Sequence, residues 1–367
     1  MRVCIAHGGD LGEPSGGTDR VTAIASGLAE RDIGVTLVVP SPSSELSGRL
    51  DSVEVHPVDT DRLSRSNPLG RAVAVARRAR RIASDKHATL QFEHSVLAGI
   101  GAFRLDREFI LDMHDVAYSR FDHLEGHLNS LLKPPVAQIE RYAARNAAHI
   151  IVVSQFMQDL LVDRWNVAEA QVAVVPNGYF PERVDHLRDV TTVEGRVSFL
   201  GTLHPKVDVE TLVAIGRMDA VSELYVIGDG AHRDRLDDLE NSIPSLIVTG
   251  RLPDEEAFEI VASSEVVINP QTTSDLQRSS SPVKLFYYAA LGKPMVVTEG
   301  PSVASDLADV GGALLANSRA EFVDAIGRIL NDETLASELS KNVVAAANEF
   351  RWDDRIEEIA AIHRNIR

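Results

Sequence analysis

Residues 279–294 constrain the fold of this chain more than any other stretch. They read Ser-Ser-Ser-Pro-Val-Lys-Leu-Phe-Tyr-Tyr-Ala-Ala-Leu-Gly-Lys-Pro and lie between the apolar runs 265–269 and 295–298. Proline is favoured at the first position of a helix and glycine just past its end, so Pro282 and Gly292 bound a predicted helix. A strand, a polar loop, a helix and a second strand form a βαβ unit with parallel strands. The sequence therefore predicts an α/β fold.

The start of this predicted helix is suited to binding an anion such as a diphosphate. A helix amino terminus offers free N–H groups and a partial positive charge. In an α/β sheet, ligands bind beyond the carboxyl ends of the strands, where this loop lies. The residues at this point are Ser281, Pro282, Val283 and Lys284.

The segment from Ser281 to Pro294 also resembles the donor-binding motif of family-four glycosyltransferases of the GT-B fold, read as S-P-x-K-L-x-E-Y-x-A-x-G-K-P. The resemblance extends over nearly the whole chain. It implies two Rossmann-like domains, each a doubly wound parallel sheet, that face a central cleft. Residues 1–180 would form the acceptor domain and residues 181–350 the nucleotide-sugar domain. A last helix, 351–367, would cross back to the first domain.

The family motif assigns the donor contacts residue by residue. In the family, the helix start holds the nucleotide diphosphate and a glutamate holds the ribose hydroxyls. Tyr287 stands at the position of that glutamate, and Ser279 stands at the position of a second glutamate eight residues upstream. A phenol cannot chelate two ribose hydroxyls as a carboxylate does. The resemblance thus places Tyr287 at the donor and leaves the strength of binding and the choice of base open.

The family also places two cations in the turn after the first strand of the second domain. That turn reads Gly-Thr-Leu-His-Pro-Lys here, so Lys206 matches the second cation and Thr202 replaces the first. Arg278, just before the serines, is a candidate for the missing charge. Arg251 and Leu252 resemble the place where the family's backbone meets the nucleobase. All of these residues are assigned to donor binding.

The first half opens with its own βαβ pattern, made of strands 2–7 and 33–39 and a helix over 18–31. The intervening loop ends in Gly16-Gly17, without the spacing of the dinucleotide fingerprint G-x-G-x-x-G. Spacing alone is equally compatible with a flexible turn and with a binding loop. The resemblance implies that this glycine pair lets the backbone approach the donor sugar.

A histidine follows the predicted strand Phe109–Met113. His114 thus lies at the sheet edge where α/β proteins bind ligands. This position alone is equally compatible with a structural and with a catalytic role for the histidine. In the family, a matching His-Asp segment places the histidine beside the transferred sugar, so we predict that His114 is catalytic. Glu93 and His94, at the end of the preceding strand, are weaker candidates for acceptor binding.

Composition excludes several other classes of function. A net charge of −17 argues against general nucleic-acid binding. Cys4 is the only cysteine, so neither a disulfide nor a cysteine-based metal site can form within one chain. No segment approaches the ~20 apolar residues that span a bilayer. The first apolar run is too short for a signal peptide, so we expect a cytoplasmic protein.

The helix predicted from Pro68 to Lys86 carries five arginines beside a shallow, alanine-rich apolar stripe. The favoured interpretation is an ordinary surface helix. The alternative is a basic amphipathic helix that brings the protein to anionic lipid at a membrane surface.

Hydrolase and nucleotide-triphosphatase motifs are absent from the sequence. With the resemblance, we predict a metal-independent, retaining hexosyltransferase that needs no cofactor. It would move a sugar from a nucleotide-sugar donor to a glycan, a lipid-linked molecule or a small molecule. Two alternatives stay open: an inactive homologue that serves as a binding or scaffold subunit, which the missing glutamates favour, and a UDP-sugar epimerase of the same fold.

Overall fold

A computed structural model of the chain describes residues 1–12, 15–41, 48–59, 68–103, 105, 107–119 and 127–366. The chain divides into two compact units. The first unit comprises Met1–Asn177, Ser279–Ser281 and Trp352–Arg367. The second unit comprises Gly178–Arg278 and Pro282–Arg351. The tripeptide Ser279–Ser281 therefore belongs to the first unit, although the helix that follows it belongs to the second.

The first unit is built on a seven-stranded parallel sheet with the order β3-β2-β1-β4-β5-β6-β7. The strands are β1 Arg2–His7, β2 Gly34–Pro40, β3 Glu54–Val58, β4 Thr89–Glu93, β5 Phe109–Met113, β6 His149–Val152 and β7 Val172–Val174. Nearly all side chains of β1 and β5 are buried, as expected for parallel strands covered on both faces. The strand order reverses between β1 and β4, and such switch points are where ligands bind.

Five helices follow the strands in the amino-terminal part of this unit: α1 Gly16–Ala29, α2 Pro68–Asp85, α3 Ser95–Ala102, α4 His127–Asn146 and α5 Gln155–Asp159. α1 begins after Ser15, whose hydroxyl accepts a hydrogen bond from the Thr18 N–H at 3.1 Å, a cap that stabilises a helix by about 1 kcal/mol. α4 continues through Pro134-Pro135 without interruption. A π-helical turn, Leu160–Arg164, follows α5 directly.

The apolar stripe of α2 packs in the core of the first unit. Val75, Ala79 and Ile82 are almost fully buried there, together with strand residues such as Cys4 and Leu90. The arginines at positions 77, 78 and 81 are exposed on the opposite face. This arrangement is that of an ordinary surface helix whose apolar face is already used by the fold.

The second unit repeats the architecture with a six-stranded parallel sheet in the order β10-β9-β8-β11-β12-β13. Its strands are β8 Arg196–Leu200, β9 Glu223–Ile227, β10 Leu246–Gly250, β11 Val266–Asn269, β12 Met295–Val297 and β13 Ala313–Leu315. Its helices are α6 Val209–Gly216, α7 Arg233–Glu240, α8 Asp254–Ala262, α9 Asp275–Arg278, α10 Val283–Ala290, α11 Ser302–Asp309, α12 Arg319–Asn331 and α13 Glu333–Ala347. Both units thus have the doubly wound, Rossmann-like order that the sequence predicts.

The last helix, α14 Trp352–Asn365, belongs to the first unit. It packs on α1 at Gly27, where a Cβ atom would lie only 2.7 Å from Cγ1 of Ile356. The absence of a side chain at Gly27 therefore permits the close contact between α1 and α14. Among the described residues, every helix is either too short or too polar to span a lipid bilayer.

Candidate active site

Lys284 lies in the first turn of α10, against the end of the neighbouring strand β8. Its ammonium is 3.9 Å from the centre of the Phe199 ring on β8. Gly201 follows this strand with a φ of +128°, and a Cβ atom there would lie 2.9 Å from Lys284 Nζ. Glycine suits this position for two reasons: it tolerates the positive φ, and it leaves room for the lysine side chain.

The charges around Lys284 favour the binding of an anion. Lys284 is half-buried, and no carboxylate of the described residues forms an ion pair with it. Burial and, after it, the charge of Lys206 lower the pKa of the Lys284 ammonium to about 7. The helix start itself has Pro282 as its N-cap, with no side-chain hydrogen bond to the first turn. Lys284 at this helix start, with the charge of Lys206 close enough to lower its pKa, offers charge and N–H donors to a phosphate.

Tyr287, predicted to contact the donor, is packed in the core of the second unit. It is 3% exposed, and its ring lies 4.7 Å from that of Phe258. Its hydroxyl accepts a 2.8 Å hydrogen bond from Nη1 of Arg183, and Arg183 also pairs with Asp254. The Tyr287 hydroxyl is therefore already hydrogen-bonded to a neighbouring arginine, and its contact with the donor ribose stays a prediction.

The remaining predicted donor residues of the second unit lie near its surface. Thr202 and Arg251 are exposed and Leu252 is half-buried. Arg278 is also exposed and lines an open pocket with Thr273, Glu299, Gly300, Ser305 and Asn317. Their donor contacts also stay predictions.

The serines before α10 are held by the first unit. The Ser279 carbonyl accepts a hydrogen bond from the Ser154 hydroxyl at 3.3 Å. The Ser281 hydroxyl accepts one from the backbone N–H of Asn177 at 3.1 Å, and the Ser281 carbonyl accepts one from the Asn177 side-chain amide at 2.7 Å. Both serines are buried, so their hydrogen bonds anchor this segment.

In the first unit, polar side chains meet at the carboxyl ends of adjacent strands. His7, Glu93 and Asp112 are register partners across β1, β4 and β5. His114 follows β5, and its Nε2 lies 2.8 Å from Oε2 of Glu93 and 3.4 Å from Oδ1 of Asp112. The predicted catalytic histidine thus lies against two buried carboxylates at the predicted edge of the sheet.

The other ring nitrogen of His114 is near the start of α1. A Cβ atom on Gly17 would lie 3.8 Å from His114 Nδ1, and Gly16-Gly17 form the first turn of this helix. Burial disfavours a charged imidazole, but the charges and hydrogen bonds of Asp112 and Glu93 outweigh it and raise the pKa of His114 to about 9. The structure therefore brings a cationic His114 beside the glycine pair.

Arg20 completes this cluster, and sequence reasoning missed it. It is fully buried, and its Nε donates to both carboxylate oxygens of Asp112 at 3.1 and 3.0 Å. Its Nη1 donates to the Val175 carbonyl and to Oδ1 of Asn177, both at 3.1 Å. Burial raises the pKa of Asp112, but the charge of Arg20 outweighs it and the pKa is lowered overall. The one available sequence signal was an arginine adjoining the apolar positions of α1.

The ligand-type atoms of Glu93, Asp112 and His114 all lie within 4.8 Å of one another. Arg20, however, donates to both oxygens of Asp112, and His114 Nε2 is bonded to Glu93. The guanidinium already neutralises the carboxylate that a metal ion would need. This arrangement is a hydrogen-bonded ion-pair network, and the expectation that catalysis needs no metal stays a prediction.

His94 has an unusual backbone conformation with a φ of +94°, which is uncommon for a residue other than glycine. Its Nδ1 accepts a hydrogen bond from the Val96 N–H at 3.4 Å at the start of α3, and its Nε2 lies 3.3 Å from Oδ1 of Asp115. Both ring nitrogens thus contact the protein, and the acceptor contact of His94 stays a prediction.

Two family models match consecutive parts of the chain. Residues 14–183 match the model described as Glycosyltransferase Family 4, and residues 194–332 match the model described as Glycosyl transferases group 1. The chain is a family-four, group 1 glycosyltransferase. This glycosyltransferase has no match among curated proteins at the sequence level.

Solved structures of similar fold align with this glycosyltransferase over its full length. Sucrose-phosphate synthase from Thermosynechococcus elongatus has a TM-score of 0.82 at 16% identity, covering 99% of this chain and 98% of its own. WaaG, a glycosyltransferase involved in lipopolysaccharide biosynthesis, has a TM-score of 0.76 at 13% identity, covering 100% of both chains. HepE of Anabaena in complex with UDP and glucose has a TM-score of 0.72 at 17% identity, also covering 100% of both. The predicted GT-B fold is thus confirmed.

Proposed function

We propose that this glycosyltransferase uses a nucleoside-diphosphate sugar as donor and binds its diphosphate at the start of α10. The observation that carries the proposal is the position of Lys284, half-buried beside Phe199 with no carboxylate partner among the described residues. The charge of Lys206 helps to depress its pKa. A bound diphosphate would supply a counter-charge to Lys284, and the first-turn N–H groups would add hydrogen bonds.

In this proposal the same lysines and first-turn N–H groups also stabilise the transition state of sugar transfer. Negative charge develops on the leaving phosphate in the transition state, and fixed cations lower its energy most where water is excluded. This role requires no metal ion. HepE, a structural neighbour, has been solved with UDP and with UDP-glucose, which makes UDP-glucose the first donor to test.

His114 is the proposed catalytic residue on the sugar. Its Nε2 is committed to Glu93 and Asp112, so the protonated ring has Nδ1–H to donate to a sugar hydroxyl near Gly17. A hydrogen bond from a charged donor is stronger than one from a neutral group. We propose transfer with retention, in which the acceptor hydroxyl attacks the sugar face that the phosphate leaves.

The acceptor is proposed to be a glycan, a lipid-linked molecule or a small molecule. Peripheral contact with an anionic membrane, if the acceptor is lipid-linked, would use the exposed arginines of α2 at positions 77, 78 and 81. Their attraction to anionic lipid is electrostatic and falls with added salt. The apolar stripe of α2 is buried in the core of the first unit, so this stripe is not available to insert into lipid.

A thermal-shift panel of UDP, GDP, TDP and their sugars tests donor binding, because a ligand bound to the native state raises the melting temperature. We expect one nucleotide series to stabilise the protein and Lys206→Ala to reduce the shift. Lys341→Ala, on the exposed face of α13, serves as the control. Absence of any shift at millimolar ligand would reject the donor site and favour a scaffold role.

Transfer assays with the responding nucleotide-sugar test the chemical role. We expect Lys206→Ala and His114→Ala to reduce the transfer rate by about 10- to 100-fold, since each removes a hydrogen bond or charge pair from a charged group. Unchanged rates in both variants would reject the proposed arrangement.

A further inference from the structure

A buried chain of hydrogen bonds connects the carboxyl-terminal helix α14 to His114. Nε2 of His363 on α14 lies 2.6 Å from Oε1 of Gln91 on β4. The Gln91 side-chain amide donates to Oε1 of Glu93, and Oε2 of Glu93 lies 2.8 Å from Nε2 of His114. His363, Gln91 and Glu93 are all 0% exposed. All four residues belong to the first unit.

The orientation of the Gln91 side-chain amide sets the direction of this chain. Burial lowers the pKa of His363 to about 4, so this histidine is neutral at pH 7. Its Nε2 faces the Gln91 carbonyl oxygen, which can only accept, so Nε2 carries the proton. The Gln91 amide then has its NH₂ group directed at Glu93. Both oxygens of Glu93 are hydrogen-bonded, one to Gln91 and the other to His114. Burial and, after it, the charge of Asp112 raise the pKa of Glu93, and the hydrogen bond and charge of His114 act against that rise.

We propose that Glu93 is a positioning residue for His114 and not an acceptor-binding group. By accepting the Nε2–H of His114, it holds the imidazole with Nδ1–H directed towards Gly17 and keeps the ring protonated. Gln91 and His363 in turn fix the Glu93 carboxylate. The sugar contact of His114 rests on the proposed function, whereas the link between Glu93 and His114 is a property of the protein alone.

Burial supports this assignment over a direct contact with the acceptor. The Glu93 carboxylate is fully enclosed, with its oxygens facing Gln91 and His114, whereas an acceptor-binding group must reach a ligand. Within the described part of the chain, the same cluster also contains Asp112, Arg20, His7 and His94, and Asp115 pairs with His94. Arg20 is already paired with Asp112, and burial lowers the pKa of His7 to about 3 so that it is neutral at pH 7. Glu93 is therefore the buried carboxylate near His114 that Arg20 does not neutralise through a direct bond.

The direct test is an NMR titration of the histidine Cε1–H signals, with His114 assigned from the signal lost in His114→Gln. We expect the pKa of His114 in the wild type to be about 9, well above that of an ordinary histidine. In Glu93→Gln we expect its pKa to fall by one unit or more. Glu108→Gln, an exposed position just before β5, is the matched control and should leave the titration unchanged. An unchanged His114 pKa in folded Glu93→Gln would overturn the proposal.

Steady-state kinetics with the responding donor separate a positioning role from an acceptor contact. Loss of a hydrogen bond from a charged group predicts a fall of about 10- to 100-fold in kcat for Glu93→Gln, with little change in the acceptor KM. A raised acceptor KM with unchanged kcat would favour the acceptor contact instead. The NMR result is independent of turnover, so a protein without transfer activity would refute the proposed function and leave this inference decided by the titration.

Glu93→Asp and the wild type keep the proposal testable if Glu93→Gln fails to fold. The aspartate retains the charge on a side chain one methylene shorter, so we expect the His114 pKa to stay above that of an ordinary histidine while kcat falls. In the wild type, an ordinary His114 pKa near 6.5 would overturn the proposal without any variant.

Discussion

The ammonium of Lys284 lies 3.9 Å from the centre of the Phe199 ring. An aromatic face attracts a cation but supplies no counter-charge and no hydrogen-bond acceptor as strong as a carboxylate. The Lys284 ammonium therefore lies near the end of β8, where it loses part of its hydration. A cation in this condition destabilises the free protein and favours the complex with an anion, and both effects can be measured.

Lys284→Met should stabilise the protein when no donor is present. The pKa of Lys284 in the folded chain is about 7, below its ordinary value, so the unfolded chain binds the proton more tightly. The resulting penalty is complete below pH 7 and disappears as the pH rises towards the ordinary lysine value. One pKa unit is worth about 1.4 kcal/mol, and with partial exposure we expect a gain of roughly 1–3 kcal/mol at pH 6.

Urea denaturation at pH 6 and pH 9 measures this gain, which should be smaller at the higher pH. Lys341→Met, an exposed lysine of the same unit, provides the comparison and should change the free energy of unfolding little. A Lys284→Met variant that is less stable than the wild type at pH 6 would show that the ammonium is not destabilising.

The affinity for UDP-glucose should fall as the pH rises above 7. Below pH 7 Lys284 is already charged in the free protein, whereas above it the diphosphate must draw a proton onto the amine as it binds. Between pH 7 and 8.5 this linkage predicts a loss on the order of tenfold in affinity. Titration calorimetry in two buffers of different ionisation enthalpy should also show proton uptake.

Lys284→Arg is the control for this pH dependence, because a guanidinium stays charged throughout the range. Its affinity should be nearly constant between pH 7 and 8.5, whatever its absolute value. A wild-type affinity that does not change over the same interval would contradict the assignment of the diphosphate to Lys284.

Gly201→Ala should weaken both the fold and the donor site. The new methyl group would lie 2.9 Å from Lys284 Nζ and would sit on a residue with a φ of +128°. We expect a loss of roughly 1–3 kcal/mol in the free energy of unfolding and weaker binding of UDP-glucose. Gly327→Ala is a matched control inside α12, where the nearest atom to the new Cβ is Met218 Cε at 3.8 Å. It should instead stabilise the protein by about 0.5–1 kcal/mol. Equal effects of the two substitutions on UDP-glucose affinity would count against the site.

The sequence was sufficient for strands with continuous apolar runs but missed three helices and one strand. Continuous apolar runs predicted β1, β5 and β8 because buried parallel strands have no polar face to break the pattern. α3, α9 and α11 were not predicted, nor was the three-residue strand β13. These four elements have neither a long apolar run nor a clear helical period of their own, and their conformation depends on neighbours distant in sequence.

The residues of the candidate site that lie in a local sequence motif could be proposed from the sequence. The contacts that depend on strand register could not. Lys284 and Lys206 were assigned to donor binding because they match lysines of the family motifs at strand-to-helix turns, and this assignment stays a prediction. Glu93 was recognised as a strand end, but its contact with His114 depends on the register of β4 against β5. Arg20 was missed because an arginine in a helix is usually exposed, and its partner Asp112 is 92 residues away.

Arg20→Leu should be strongly destabilising, because it removes the guanidinium that donates to both oxygens of the buried Asp112 carboxylate. Removal of one member of a buried pair typically costs about 3–5 kcal/mol. Here Arg20 also lies 5.9 Å from the centre of the Trp352 ring of α14, so the substitution removes packing as well as charge. Urea denaturation gives the free energy of unfolding, and loss of less than about 1 kcal/mol would contradict the pairing.

A double-mutant cycle with Asp112→Leu isolates the charge pair from that packing. In Arg20→Leu/Asp112→Leu the unpaired charge is gone, so the loss should be smaller than the sum of the two single losses by about 0.5–3 kcal/mol. Additive losses would mean that the two side chains act independently. Because Asp112 also faces His114 at 3.4 Å, the Asp112→Leu variant should lower the pKa of His114 as well. The pair thus supports both the fold of the first unit and the charge of its candidate catalytic histidine.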